Sequence, residues 1–180
     1  MNVSGDLRNE HEAVLLSLTI LEKICAIGRP PIQNVEQLLE FLRIFVDKCH
    51  HGKEEDLLFP ALEAVGVAKE GGPMGVMLAE HQMGRDLVEE MGNALDKVKS
   101  GNADARTKVV ENATNYVKLL RQHIDKENTV LFVMADSKIP EAKQAELLKG
   151  FEEIEEKRVG RGKHEEFHKM LHSLRDEYLG

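Results

Sequence analysis

A histidine followed four residues later by a glutamate occurs twice in this chain, at His50–Glu54 and at His123–Glu127. Both copies continue alike, and each reaches a Leu-Phe pair, at 58–59 and at 131–132. Residues four apart lie one turn apart on the same face of an α-helix. Each copy therefore predicts a helix that presents an imidazole beside a carboxylate. Two such helices facing one another can hold two metal ions, with the carboxylates bridging them, as in dinuclear sites of helix bundles.

Apolar residues recur at helical spacing, and no segment alternates with the period of two that a strand requires. The pattern predicts long amphipathic helices at about residues 5–26, 34–64, 73–99 and 105–135, with Pro60 kinking or breaking the second. We expect an all-α fold, an antiparallel up-down-up-down four-helix bundle over about residues 5–136. Two additional C-terminal helices, within about residues 140–178, are too short to form a separate domain, so residues 1–180 are predicted to be one domain.

Composition limits the partners of the chain. The net charge is −8 and the basic residues are scattered, which argues against a nucleic-acid partner. No apolar run approaches the roughly 18 residues that a membrane span needs, and the first residues do not form a signal peptide. We therefore expect a cytoplasmic protein without a membrane partner. Cys25 and Cys49 fall on apolar helical positions, which predicts buried free thiols rather than a disulfide.

Each long apolar stripe is interrupted by a histidine, and two stripes also carry a glutamate: His11, His50, Glu54, His81, His123 and Glu127. A lone histidine on an apolar face is more often an ordinary core residue than a ligand. A buried carboxylate, however, must be paired, neutralised or bound to a metal. Imidazole with carboxylate suits iron, manganese or zinc, and the chain has no thiolate cluster for an iron–sulfur site. The set together predicts two metal ions in the bundle core.

These residues resemble the hemerythrin-like family, also called the HHE cation-binding family. The resemblance runs from Asn9–Glu12 through His50–Pro60 and Ala79–His81 to His123–Phe132. It implies two non-haem iron ions joined by an oxygen bridge. By this resemblance one iron would be bound by His11 and His50, the other by His81 and His123, and both would be spanned by Glu54 and Glu127.

The chain departs from the oxygen-carrying members of that family at Arg85. Those members have a histidine there, four residues after the one on the third helix, and a guanidinium cannot coordinate a metal at ordinary pH. Either this iron has an open position or another residue supplies the ligand. The last helix carries His164, His168 and His172 on one face, at steps of four. We predict that His168, or failing that His164, completes this iron, the alternative being a solvated histidine row.

Two further patterns in the sequence resemble metal-binding motifs but are not assigned to the metal centre. His164–His168 matches the zinc-peptidase pattern H-E-x-x-H, but only 12 residues follow to supply a third ligand and a cleft. His51 and Glu55 repeat the His-x-x-x-Glu spacing one residue out of register. One residue turns an α-helix by about 100°, so both pairs cannot point at the same metals. Alignment with the second copy leaves His51 and Glu55 as neighbours of the site or as surface residues.

Three functions fit this predicted centre. The first is the binding or sensing of O₂ or a related small ligand, such as peroxide or nitric oxide. The second is a redox enzyme that reduces peroxide, nitric oxide or O₂, or that delivers or repairs iron, and the third is a bundle that metal merely stabilises. Arg85 would leave a more accessible iron and a cation near a bound oxyanion, which favours a sensor or a redox enzyme over an oxygen carrier.

Overall fold

A computed structural model describes all 180 residues of the protein, and they form helices and no strands, which confirms the prediction of an all-α fold. The α-helices are α1 (Val3–Cys25), α2 (Ile32–Phe41), α3 (Phe59–Ala64), α4 (Pro73–Lys99), α5 (Arg106–Lys126), α6 (Phe132–Lys138), α7 (Glu141–Arg158) and α8 (Arg161–Tyr178). Three π-helical segments lie between them, π1 (Leu42–His51), π2 (Glu54–Leu58) and π3 (Glu127–Leu131), and one 3-10 turn is formed by Ala103–Ala105. None of these helices is long and apolar enough to cross a bilayer.

Local side-chain and backbone chemistry sets the helix ends. The side chain of Asn2 accepts a hydrogen bond from the Gly5 amide at 2.9 Å and so caps α1. Gly28, Gly101 and Gly160 follow α1, α4 and α7 with φ of 85°, 100° and 85°, a left-handed conformation that glycine adopts without steric cost. The chain therefore turns at each of these glycines.

Pro60 was predicted to kink or break the second long helix, and residues 32–64 continue through it without a break. The wide turn π2 ends where the Phe59 amide donates to the carbonyl of Glu54, five residues earlier, and Pro60 lies in the first turn of the α3 segment that follows. The fourth long helix, residues 106–138, makes the same bond between Phe132 and Glu127, although no proline follows. The wide turns thus accompany the sequence repeat rather than the proline.

The hydrophobic core forms two clusters of 28 and 15 buried residues. On α1, Leu7 belongs to the smaller cluster and Val14 to the larger, and the buried His11 lies between them. On the fourth long helix, Leu120 and Leu131 belong to the larger and the smaller cluster. A buried polar layer therefore lies between the two clusters.

The C-terminal helices pack into both clusters. Phe151 of α7 is buried in the smaller cluster, and Phe167 of α8 is buried in the larger. Both cysteines are buried and free, as predicted, and burial raises the pKa of Cys25 to about 11. These thiols are therefore core groups with little thiolate character at neutral pH.

Candidate metal centre

The structure brings the six stripe residues together in the polar layer: His11, His50, Glu54, His81, His123 and Glu127. None of them is more than 2% exposed. The helices α1 and α4 supply one histidine each, and the two copies of the repeat supply the remaining four residues. The layer is therefore built from all four long helical stretches.

The first group of ligand atoms comes from His11, His50, Glu54 and Glu127, and these atoms lie within 4.8 Å of one another. The Nε2 atoms of His11 and His50 are 3.0 Å apart. Metal–nitrogen bonds of about 2.0–2.1 Å at tetrahedral to right angles place two donor atoms about 2.8–3.4 Å apart. The two imidazoles therefore have the spacing of ligands bound to one ion.

The second group consists of His51, Glu54, His81 and His123, again with ligand atoms within 4.8 Å of one another. The Nε2 atoms of His81 and His123 are 3.2 Å apart, inside the same range. Glu54 belongs to both groups. The residues present thus form two adjoining sites rather than one.

Each of the two buried carboxylates turns one oxygen toward each site. Glu54 places Oε1 at 3.3 Å from His50 Nε2 and Oε2 at 3.2 Å from His81 Nε2. Glu127 places Oε2 at 3.0 Å from His11 Nε2 and Oε1 at 2.9 Å from His123 Nε2. This is the arrangement that two bridging carboxylates require.

All four oxygens of Glu54 and Glu127 are buried and accept no hydrogen bond. Leaving one buried polar group without a partner typically costs about 1–3 kcal/mol, and more when it is charged. Cations bound between these oxygens and the imidazoles would satisfy them. The donor set of the chain therefore fits a pair of metal ions.

Burial and the facing charges act in opposite directions on the pKa values of the cluster. Burial lowers the pKa of His50 and His81, but facing carboxylates outweigh burial and raise these values to about 10 and about 11. Burial raises the pKa of Glu127, but His123 and His11 outweigh it and hold this pKa well below its usual range. The facing carboxylates thus favour the protonated forms of His50 and His81 when no metal is bound. Metal binding would displace those protons.

Every imidazole in the two groups has an oxygen near its Nδ1 atom. The distances are 2.9 Å for His11 to Asn128, 3.5 Å for His50 to Glu10, 3.5 Å for His51 to Asp47, 3.7 Å for His81 to Glu55 and 3.3 Å for His123 to Glu80. The hydrogen bonds of His11, His50 and His123 orient their rings and select the tautomer whose Nε2 is free for a metal.

These outer contacts repeat with the sequence. Glu10 on α1 faces the histidine of the first copy, and Glu80 on α4 faces the histidine of the second. A lysine three residues after that histidine holds each glutamate, Lys53 at 3.0 Å in the first copy and Lys126 at 2.5 Å in the second. The conspicuous two-fold pattern of the sequence therefore extends from the ligands to their supports.

His51, which the sequence analysis left outside the ligand set, lies inside the cluster. It is only 4% exposed, its ring stacks on His81 at a centroid distance of 3.9 Å, and it belongs to the second ligand group. The expectation assumed α-helical rotation, but His51 ends π1, where the Gly52 amide bonds to the Asp47 carbonyl five residues earlier. A wider turn rotates each residue by less than about 100°, so adjacent histidines both face inward.

Electrostatics favour the neutral, metal-binding form of this imidazole. Burial and the neighbouring His81 and His50 lower the pKa of His51 well below its ordinary value. One feature of the sequence distinguishes this position. The first copy of the repeat has two adjacent histidines, His50 and His51, whereas the second copy has Ile124 after its histidine.

His168, the predicted additional ligand, is not brought to the cluster, and neither is His164. Their rings lie against Phe45, at centroid distances of 6.3 and 5.6 Å, and His168 is exposed beside Glu12. The orientation of α8 explains this result, because its buried face carries Phe167. The adjacent histidine row is turned away from that face by about 100°.

Arg85 lies one turn after His81 and supports the site without ligating it. Its Nε donates to Asp47 at 2.8 Å, and its guanidinium also pairs with Glu55. Burial raises the pKa of Glu55, but His81 and Arg85 outweigh it and hold this pKa at about 2. Arg85 therefore fixes the two acids that face the Nδ1 atoms of His51 and His81.

A family model described as Hemerythrin HHE cation binding domain matches residues 2–135. An uncharacterized protein of Mycobacterium tuberculosis is 24% identical over 159 residues, which cover 86% of this chain and 62% of that protein. A Mycobacterium bovis protein matches to the same extent. The iron-sulfur cluster repair protein YtfE of an Enterobacter species is 37% identical over 89 residues, 48% of this chain and 40% of that protein. The chain thus spans less than two thirds of these relatives, and no solved structure is significantly similar.

Proposed function

Because the chain belongs to the Hemerythrin HHE cation binding domain family, we propose that it is a non-haem di-iron protein whose carboxylate-bridged centre binds or senses a small ligand. The ligand class is O₂ or a relative such as peroxide or nitric oxide. The proposed ligands of one iron are His11, His50, Glu54 and Glu127, and those of the other are His51, His81, His123 and the same two glutamates. The proposal includes an antiparallel up-down-up-down arrangement of the four long helical stretches.

The four buried carboxylate oxygens without hydrogen bonds carry this proposal. Two imidazole pairs face them, and each carboxylate reaches both pairs, so two cations satisfy every one of these atoms. Nitrogen and oxygen donors suit iron, manganese and zinc alike. Similarity to a protein named for iron-sulfur cluster repair supports iron, with zinc or manganese as alternatives.

When bound, two iron ions would supply Lewis acidity and electrons for small-ligand chemistry. The chain itself positions the donors. Glu54 and Glu127 fix the separation of the two sites, and the outer carboxylates orient the imidazoles. The two apolar clusters above and below the layer limit its contact with water and so strengthen the electrostatics inside it.

A redox enzyme is the second candidate function. The similarity to the iron-sulfur cluster repair protein favours this alternative over a purely structural metal site. Optical spectra of the reduced protein exposed in turn to O₂, peroxide and nitric oxide separate the two candidates, because a sensor binds its ligand without turnover. The cytoplasmic location and the absence of a nucleic-acid partner stay predictions from composition.

Metal content tests the proposed function directly. Protein purified without chelator should contain about two metal ions per chain, mainly iron. Glu127→Ala should lose both ions, because this carboxylate faces both imidazole pairs. The matched control is Glu63→Ala, which removes an exposed glutamate that makes no ion pair and should leave the content unchanged. Less than one ion per folded wild-type chain would refute the proposal.

A further inference from the structure

A cavity of about 260 Å³ opens between π1 and α4 and connects the protein surface with the metal centre. At its inner end are His51 and His81, which are buried, and at its outer end are Arg43 and Lys48, which are exposed. A small molecule in this cavity would therefore reach the second ligand group without unfolding any helix.

The two-fold repeat shows that this polar opening is particular to the second site. Four residues after its histidine, α4 carries Arg85, whereas α1 carries Leu15 at the same distance from His11. The repeat likewise has His51 in its first copy and Ile124 in its second. Leu15 and Ile124 belong to or pack against the larger apolar cluster. The polar residues Arg85 and His51 thus stand where the related positions of the chain carry the apolar residues Leu15 and Ile124.

The outer end of the cavity is positively charged. Arg43 and Lys48 make no ion pair, whereas the lining acid Asp47 is already paired with Arg85. Glu89 is then the one remaining acid of the lining against two free cations. The chain as a whole has a net charge of −8, so a cationic entrance is contrary to its overall charge. A cleft lined by one sign of charge concentrates ions of the opposite sign.

The position of Arg43 depends on α4. Its guanidinium lies directly over Gly92, where any side chain on α4 would collide with it. Arg85 forms the inner wall and is held there by Asp47 and Glu55. One cation of this entrance is therefore packed against helix backbone and another is fixed by two ion pairs.

We propose that this cavity is the entrance for a small inorganic monoanion, which Arg43 and Lys48 attract and which binds the metal held by His51, His81 and His123. The proposal rests on the proposed di-iron function and specifies the charge class of its ligand. The wall residues Leu42, Val88 and Tyr116 do not discriminate between ligand charges, so the two exposed cations Arg43 and Lys48 are the groups that would do so.

Azide is a suitable probe, because its binding to the iron-loaded full chain can be followed by visible absorption in a stopped-flow experiment. The double variant Arg43→Glu, Lys48→Glu should slow azide association about tenfold at low salt. At high salt its association rate should approach that of the wild type, because salt screens the charges of the entrance. The matched control, Lys138→Glu with Lys149→Glu, changes the net charge equally at exposed lysines outside the cavity. Equal azide rates in the two double variants would overturn the proposal.

Two further measurements separate charge from access. Association of neutral nitric oxide should be unchanged in the Arg43→Glu, Lys48→Glu protein, and equal slowing of both ligands would overturn the charge selection. Val88→Phe, which enlarges a residue of the cavity wall, should slow both ligands, and unchanged rates would show that the entrance lies elsewhere. Metal content is measured in every sample. An empty wild-type protein would refute the di-iron function, whereas loaded protein with equal azide rates would refute only the entrance.

Discussion

At the residue scale, the two sites differ through His51. Both copies of the repeat supply one histidine and one bridging glutamate, but the first copy adds a second buried imidazole where the second copy has Ile124. The second site therefore has one more nitrogen donor than the first. In the proposed centre, His51 would supply the donor that Arg85, one turn after His81, cannot supply.

His51→Ala tests this assignment. We expect it to weaken the binding of one of the two metal ions by at least about 10–100-fold, the effect typical of losing even an outer support of a ligand. Competition with a calibrated chelator measures the two affinities. His168→Ala is the matched control, and because that ring is exposed and outside both groups it should leave both affinities intact. If His168→Ala weakened metal binding and His51→Ala did not, the additional ligand would come from α8.

At the scale of helices, α7 is linked to the proposed metal centre through Lys53. The ammonium of Lys53 is fully buried and lies 2.6 Å from Glu155 of α7 and 3.0 Å from Glu10 of α1, which faces His50. Burial lowers the pKa of Lys53, but Glu10 and Asp6 outweigh it and raise this pKa above its ordinary value. The lysine is therefore charged and connects three elements.

Lys53→Met should lower the free energy of unfolding by about 3–5 kcal/mol, because it leaves buried Glu10 without its cation. Urea denaturation followed by far-ultraviolet circular dichroism measures this change. Lys157→Met is the control on α7, where an exposed lysine lies 3.8 Å from Glu153 and should contribute less than about 1 kcal/mol. Similar losses in both variants would contradict the role of Lys53.

At the scale of the whole molecule, the metal centre interrupts the core. One apolar cluster of 28 residues and another of 15 are separated by a layer that contains two carboxylates, and the ligands come from four helical stretches. If the proposed metals bind there, their binding would contribute directly to folding, since the unfolded chain does not hold the ligands together.

Removal of metal should therefore lower the melting temperature by about 8–16 °C. This range follows from about 4 kcal/mol of linkage at a ligand excess of about 1,000-fold over Kd, and from about 2–4 °C per kcal/mol in a chain of this size. Differential scanning calorimetry before and after chelation gives the value. The double variant Glu54→Gln, Glu127→Gln should melt at one temperature under both conditions. An unchanged wild-type temperature would contradict a stabilising role of metal.

The helices and most of the cluster were predictable because their signals are local. A stripe of apolar residues at helical spacing specifies a helix face, and an interruption of that stripe by His11 or His81 specifies an imidazole turned inward. The spacing of His123 and Glu127 likewise specifies two donors one turn apart. Each inference needs only the geometry of one α-helix, so the six stripe residues could be named before the structure was known.

The roles of His51 and His168 depended on tertiary structure. Whether adjacent histidines both face the core depends on the width of the helical turn, and π1 is wide where the spacing rule assumed an α-helix. Whether the histidine row of α8 faces the metals depends on how that helix is rotated, which the packing of Phe167 against the larger cluster decides. The sequence alone determined which side chains share a face within one helix. Only the tertiary structure decided how those faces are turned toward one another, because that rotation minimises the free energy of the whole core and not of any single helix.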